Sequence, residues 1–139
     1  MSAITIVVVD DAGHWRKFIS FILRIDPTME IVSEASNGTQ AVQEAKKHQP
    51  TIVLLDIGLP GINGIEAGRR ILREAPSSKI IYVSQESDVE VVQEALAVGA
   101  AGYVSKIDAG SQLVAAIRCA MRGQRFISTS LPSASVTKH

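Results

Sequence analysis

The chain is predicted to fold as an α/β domain, a parallel sheet with helices on both faces. Three observations carry that expectation. Five short apolar runs alternate with longer amphipathic stretches, cap and turn signals punctuate the joins, and the most apolar runs fall where central strands belong. Residues 4–9 (ITIVVV) are nearly continuous in β-branched side chains, as a strand buried on both faces reads. Residues 14–25 place Trp15, Phe18, Ile19, Ile22 and Leu23 along one side of a helix that Pro27 stops. Residues 29–35 mix apolar with polar, which suits an edge strand. Asn37 with Gln40 has the form of a capping box opening a second helix, and Pro50 follows it. Residues 51–55 and 79–83 read as two more buried strands, with a third helix between them that ends before Pro76. Ser87 with Glu90 marks the start of a fourth helix, closed by Gly99. Residues 102–105 form a second edge strand, and a fifth helix closes at Gly123.

Five βα units joined by right-handed crossovers give a doubly wound, flavodoxin-like (βα)5 sheet of order 2-1-3-4-5. A chain of 139 residues is one domain's worth, expected over residues 1–125. The pattern fades after Gly123, so residues 126–139 are expected to be a tail or a truncated linker. Hydrophobic residues at 46% and charged residues at 20% exclude a disordered chain. The 14 basic and 14 acidic residues cancel, leaving no net field to attract nucleic acid or an anionic membrane. The longest apolar run is too short to cross a bilayer and opens straight into Asp10-Asp11, which argues against a leader and for a cytoplasmic protein. A single cysteine, Cys119, permits neither an intrachain disulfide nor a cysteine zinc cage, and its place on the fifth helix reads as packing.

In an open α/β sheet the working groups lie beyond the carboxyl ends of the strands. The residues following the first, third, fourth and fifth runs are Asp10-Asp11, Asp56, Ser84 and Ser105-Lys106. Three carboxylates at one edge repel one another unless a cation joins them, and oxygen-only ligands select Mg2+ or Mn2+ over zinc. Asp11, Asp56 and a backbone carbonyl near Gly58 suit such an ion, with Asp10 holding a bound water. Lys106 is placed to pair with Asp56 or with an anion on it. A carboxylate beside a divalent cation and a lysine is able to attack a phosphoryl group, and Ser84 would donate a hydrogen bond to one of its oxygens.

These residues, with the segment Asp-Ile-Gly-Leu-Pro-Gly-Ile-Asn-Gly at 56–64, resemble a bacterial two-component response-regulator receiver domain. The resemblance runs from about residue 4 to 122. Gly64-Ile-Glu66 and Gly102-Tyr-Val-Ser-Lys106 are most similar to the NarL-type branch, whose members usually carry a C-terminal helix-turn-helix. The resemblance implies that Asp56 accepts a phosphoryl group from a sensor histidine kinase or a small donor. It implies that Asp10, Asp11, Asp56 and the Gly58 carbonyl position Mg2+, and that Ser84 and Lys106 bind the phosphoryl group. Ser84 and Tyr103 would act as the switch, reshaping the face made by the fourth helix, fifth strand and fifth helix. The protein would be no metabolic enzyme, catalysing only its own phosphorylation and dephosphorylation. Homodimers would form through that face or through the first and fifth helices. DNA would be reached only through an output domain that residues 126–139 are too short to supply.

Three positions depart from the family pattern. Ile107 stands where a cis-proline often follows the lysine, Gln85 replaces a smaller residue, and Gly58 offers no side chain near the phosphate while Glu86 does. The alternatives are a stand-alone receiver acting by protein–protein contact, a degenerate receiver, a haloacid-dehalogenase-type phosphotransferase and a flavodoxin-like cofactor binder. The phosphotransferase needs a second Asp where Gly58 stands, and the cofactor binder needs a glycine-rich phosphate loop where Asp10-Asp11 would repel one. Duller readings place His14, His48 and His139 on the surface and Trp15 and the phenylalanines in the core or at its edge. On the fourth helix, Val91 and Val98 widen the apolar side and mark either a partner surface or a broad core face.

Overall fold

The computed structural model describes residues 3–131. Its strands are β1 (Ile4–Val9), β2 (Met29–Ala35), β3 (Ile52–Leu55), β4 (Lys79–Ser84), β5 (Gly102–Ser105) and β6 (Phe126–Ile127). Between them run α1 (Gly13–Leu23), α2 (Gly38–His48), α3 (Gly64–Glu74), α4 (Val89–Ala97) and α5 (Ala109–Met121). The strands pair in parallel in the order β2-β1-β3-β4-β5-β6, the doubly wound arrangement with one strand added.

Alternation along each strand divides the core in two. Ile6 and Val8 of β1, with Ile52 and Leu54 of β3, face Ile19, Ile22 and Leu23 of α1 and Leu113 and Ile117 of α5. Val7, Val9, Val53, Leu55 and Tyr82 face α2, α3 and α4 instead. Because both faces are covered, the central strands have no polar side, which explains their unbroken apolar sequence.

Several expectations need correcting. Phe126 and Ile127, assigned to a tail, pair with Gly102 and Tyr103. Ser128 N–H donates to the Tyr103 carbonyl (2.9 Å), Ser130 N–H donates to the Asp108 carboxylate (3.0 Å), and Leu131 is buried. β5 is therefore an interior strand. Two residues between Arg125 and Ser128 carry no periodicity from which a strand is read. Residues 132–139, His139 among them, lie outside the described residues.

Phe18 and Phe21 are exposed (Phe21 69%) rather than core, because α1 packs through the narrower stripe of Ile19, Ile22 and Leu23. The cap of α4 is Asp88, not Ser87; its carboxylate accepts from the N–H groups of Glu90 (2.9 Å) and Val91 (3.4 Å). Asn37 does cap α2, accepting from Gln40 N–H at 2.8 Å, while the Gln40 side chain accepts from Ser36 N–H. Val91 and Val98 are half-buried against the α2–α4 side of the core, so that apolar flank serves packing in part. The Lys106–Ile107 peptide is trans, and no cis bond occurs among the described residues.

Candidate functional site

The ladder of the sheet continues one residue past its central strands. Asp10 N–H donates to the Ala35 carbonyl and Asp56 N–H to the Val9 carbonyl, each at 3.1 Å. The backbone thus delivers both carboxylates side by side at the carboxyl edge. At the same edge Ser84 and Ser105 are register partners, so Lys106 follows β5 beside the end of β4.

After Asp56 the chain doubles back tightly. Leu59 N–H and Gly64 N–H both donate to the Ile57 carbonyl, at 2.9 and 2.8 Å. A Cβ on Gly64 would run into the Asp56 carbonyl oxygen, so only glycine allows α3 to start this close to the acid. Gly58 projects into open space, and nothing lies within 4 Å of where its Cβ would stand.

A cavity of about 410 Å³ gathers Asp10, Asp11, Asp56, Gly58, Ser84 and Lys106, so all the residues assigned chemistry from the sequence converge. One carboxylate oxygen from each of Asp10, Asp11 and Asp56 lies within 4.8 Å of the others; Asp10 and Asp56 are buried and Asp11 is exposed. This hard oxygen set fits a divalent cation of the Mg2+ or Mn2+ kind, with the exposed Asp11 at the mouth. Asp10 Oδ1 accepts from Ala12 N–H (2.9 Å) and Asp56 Oδ1 from Ile57 N–H (2.8 Å), which fixes both carboxylates.

Lys106 Nζ lies 2.7 Å from Asp10 Oδ2 and 3.2 Å from Asp56 Oδ2, with its side chain almost wholly buried. Burial alone would lower its pKa; the Asp10 hydrogen bond and the Asp56 charge outweigh burial and raise it. The ammonium stays charged. Ser84 Oγ accepts from Glu86 N–H at 3.1 Å and lines the cavity. Tyr103 is fully buried, and its hydroxyl donates to the Glu86 carbonyl at 2.6 Å, tying β5 to the loop after Ser84. Burial pushes its pKa up to about 12, so it remains a donor.

Two ring-bearing residues of the cavity escaped the sequence reading. Trp15 and His14 line it, although Trp15 reads as core or its edge and His14 as surface. The signal available was their place in the first turn of α1, directly after the acidic pair.

The family model described as "Response regulator receiver domain" matches residues 6–118. The chain is 36% identical over 128 residues to the response regulator UvrY of Escherichia coli strain K12, covering 92% of this chain and 59% of that protein. It is 34% identical to the response regulator GacA of Pseudomonas viridiflava, with 92% and 60% covered. It therefore spans little more than half the length of these relatives. Among solved structures it is similar to a LuxR-family two-component response regulator from Aurantimonas sp. SI85-9A1, at 30% identity and a TM-score of 0.88, covering 94% of this chain and 93% of that one. No helix among the described residues is long and apolar enough to cross a membrane. Sheet order, acidic edge and family match agree: the chain belongs to the receiver domains of two-component response regulators.

Proposed function

We propose that the chain is a phosphorylation switch whose acceptor is Asp56, charged by a sensor histidine kinase. The observation that supports this best is the Lys106 ammonium bridging Asp10 and Asp56 inside the cavity that Gly58 leaves open. An oxygen of the Asp56 carboxylate forms the new bond to phosphorus as the P–N bond of a phosphohistidine breaks, and the imidazole leaves with the bonding pair. Lys106 pairs with one non-bridging phosphoryl oxygen, and Ser84 donates its hydroxyl proton to another. Asp10, Asp11, Asp56 and the Gly58 carbonyl would hold Mg2+, which would supply neutralisation of the phosphoryl charge when bound.

Readout runs through Ser84 and Tyr103. A phosphoryl group that draws Ser84 toward it moves the loop whose Glu86 carbonyl Tyr103 holds, and so biases the face of α4, β5 and α5. The reading extends to a cytoplasmic regulator that controls transcription through an output domain outside this chain, and DNA is contacted only there. A second copy meets it at the α1/α5 face, where Phe18 and Phe21 are exposed, or at the α4–β5–α5 face.

Incubation with acetyl phosphate and Mg2+ tests the assignment by intact mass. An adduct of about 80 Da is expected on the wild type and absent from Asp56→Asn. The same adduct on the variant would move the acceptor elsewhere.

A further inference from the structure

We propose that Trp15 is a positioning residue for phosphoryl transfer, holding the Lys106 ammonium on the acid side of a wall between two cavities. The proposal rests on Asp56 being the acceptor. Lys106 Nζ stands 4.8 Å from the centre of the Trp15 ring, within range of a cation–π contact. Two carboxylates, Asp10 and Asp56, and this ring are therefore the close partners of the ammonium.

Those partners behave differently when the site is in use. The carboxylates are the groups a divalent cation would engage, and Asp56 is the group that becomes an acyl phosphate. The indole is neutral, so neither event displaces it. It is a contact of Lys106 that does not depend on the charge or bonding of the acids.

A second cavity of about 490 Å³ gives Lys106 somewhere else to go. It shares Trp15, Gln85 and Lys106 with the first and adds Ser87, Ser105 and Ser130, with no carboxylate. A lysine turned into that space is solvated but lies away from the phosphoryl oxygens. The ring forms part of the wall between the two. Phe18 backs it edge-on, with centroids 5.4 Å apart and planes at 82°, and the tip of the Phe18 ring lies 3.6 Å from where a Cβ on Gly110 of α5 would stand. Trp15 is thus held by α1 and backed by Phe18 on the side of α5. The rate of transfer scales with the fraction of molecules whose ammonium faces the acids, which is the quantity the ring raises.

Two substitutions separate this role from simple packing. Trp15→Leu keeps apolar bulk but no π face, and Trp15→Phe keeps a weaker π face; Trp15→Met replaces the leucine variant if that one folds poorly. In metal-free protein, the Lys106 ε-methylene proton resonances of the wild type are expected upfield through the ring current. They remain shifted in Trp15→Phe and return to ordinary values in Trp15→Leu or Trp15→Met. With acetyl phosphate and Mg2+, the non-aromatic variants are expected to gain the Asp56 adduct about 3- to 30-fold more slowly, with Trp15→Phe recovering most of the rate. Equal rates in all variants of a protein that is phosphorylated overturn the positioning role alone, whether or not the resonances move. A wild type that takes up no phosphoryl group overturns the acceptor reading, and the role of Trp15 with it.

Discussion

Tyr82 occupies the middle of β4, where an aliphatic side chain would satisfy the core, and brings a hydroxyl into it. That hydroxyl donates to the Gly64 carbonyl at 3.0 Å, at the start of α3, and its ring lies 6.1 Å from that of Tyr103. Burial raises its pKa well above the usual tyrosine value, so it stays a donor. The space comes from Gly68, where a Cβ would collide with the Tyr82 oxygen. In an open helix Gly→Ala gains about 1 kcal/mol from propensity. Here the clash outweighs that gain, and Gly68→Ala is expected to lower stability by roughly 1–3 kcal/mol in urea unfolding. Adding Tyr82→Phe removes the obstructing oxygen, so the double variant should be more stable than the sum of the two single losses. Strict additivity would mean that the two residues do not contend for this space. Nothing in the run KIIYVS announces the pairing: Tyr82 passes for an ordinary strand residue, and its partner lies on another element. Asp10, Asp11, Asp56, Ser84 and Lys106 were legible for the opposite reason, since each is a polar residue that ends an apolar run.

At the scale of elements, β1, β3 and β4 were legible because burial on both faces demands unbroken apolar sequence. β6 was not. It is two residues long, and what holds it is scattered: the backbone of β5, the Asp108 carboxylate and a site for Leu131 in the α2–α4 side of the core. Hydrogen bonds from Ser128 and Ser130 hold the pKa of Asp108 below the usual range. Ser128 N–H also reaches the carbonyl of Tyr103, so this strap is bonded to the residue assigned the switch. It forms an outer edge of the sheet, so it can open without separating any other pair of strands, which sets it at the low end of local stability. Leu131→Ala and Asp108→Ala are each expected to speed amide hydrogen exchange at Ser128 and Ser130 while leaving β1 and β3 unchanged. Exchange that rises equally in all strands would make the segment part of the global core.

For the molecule as a whole, a second long-range ion pair ties the turn before β2 to the end of α5. The Asp26 carboxylate, largely buried, accepts from Thr28 through N–H (2.9 Å) and hydroxyl (2.6 Å), and from the Arg118 guanidinium at 2.8 and 3.2 Å. The Thr28 hydroxyl first, then Arg118, holds its pKa down from 3.8 to about 2. Because the folded value is depressed, the unfolded chain binds the proton more readily, and acid favours unfolding through this group. Its stabilisation is complete above about pH 4 and disappears as the pH falls toward 2. Asp26→Asn keeps the shape but not the charge. Urea unfolding of both proteins at a series of pH values should show the wild type more stable at neutrality, with the gap closing between those two limits. A gap that stays constant with pH would assign the difference to hydrogen-bond geometry rather than to charge. Asp10 and Asp56 share their cation across the sheet edge, whereas Asp26 fastens α5, the element that follows Lys106, to the turn below α1. Loosening that tie loosens the support of Lys106, so Asp26→Asn should also slow phosphorylation of Asp56 modestly, by less than the loss of the Trp15 ring.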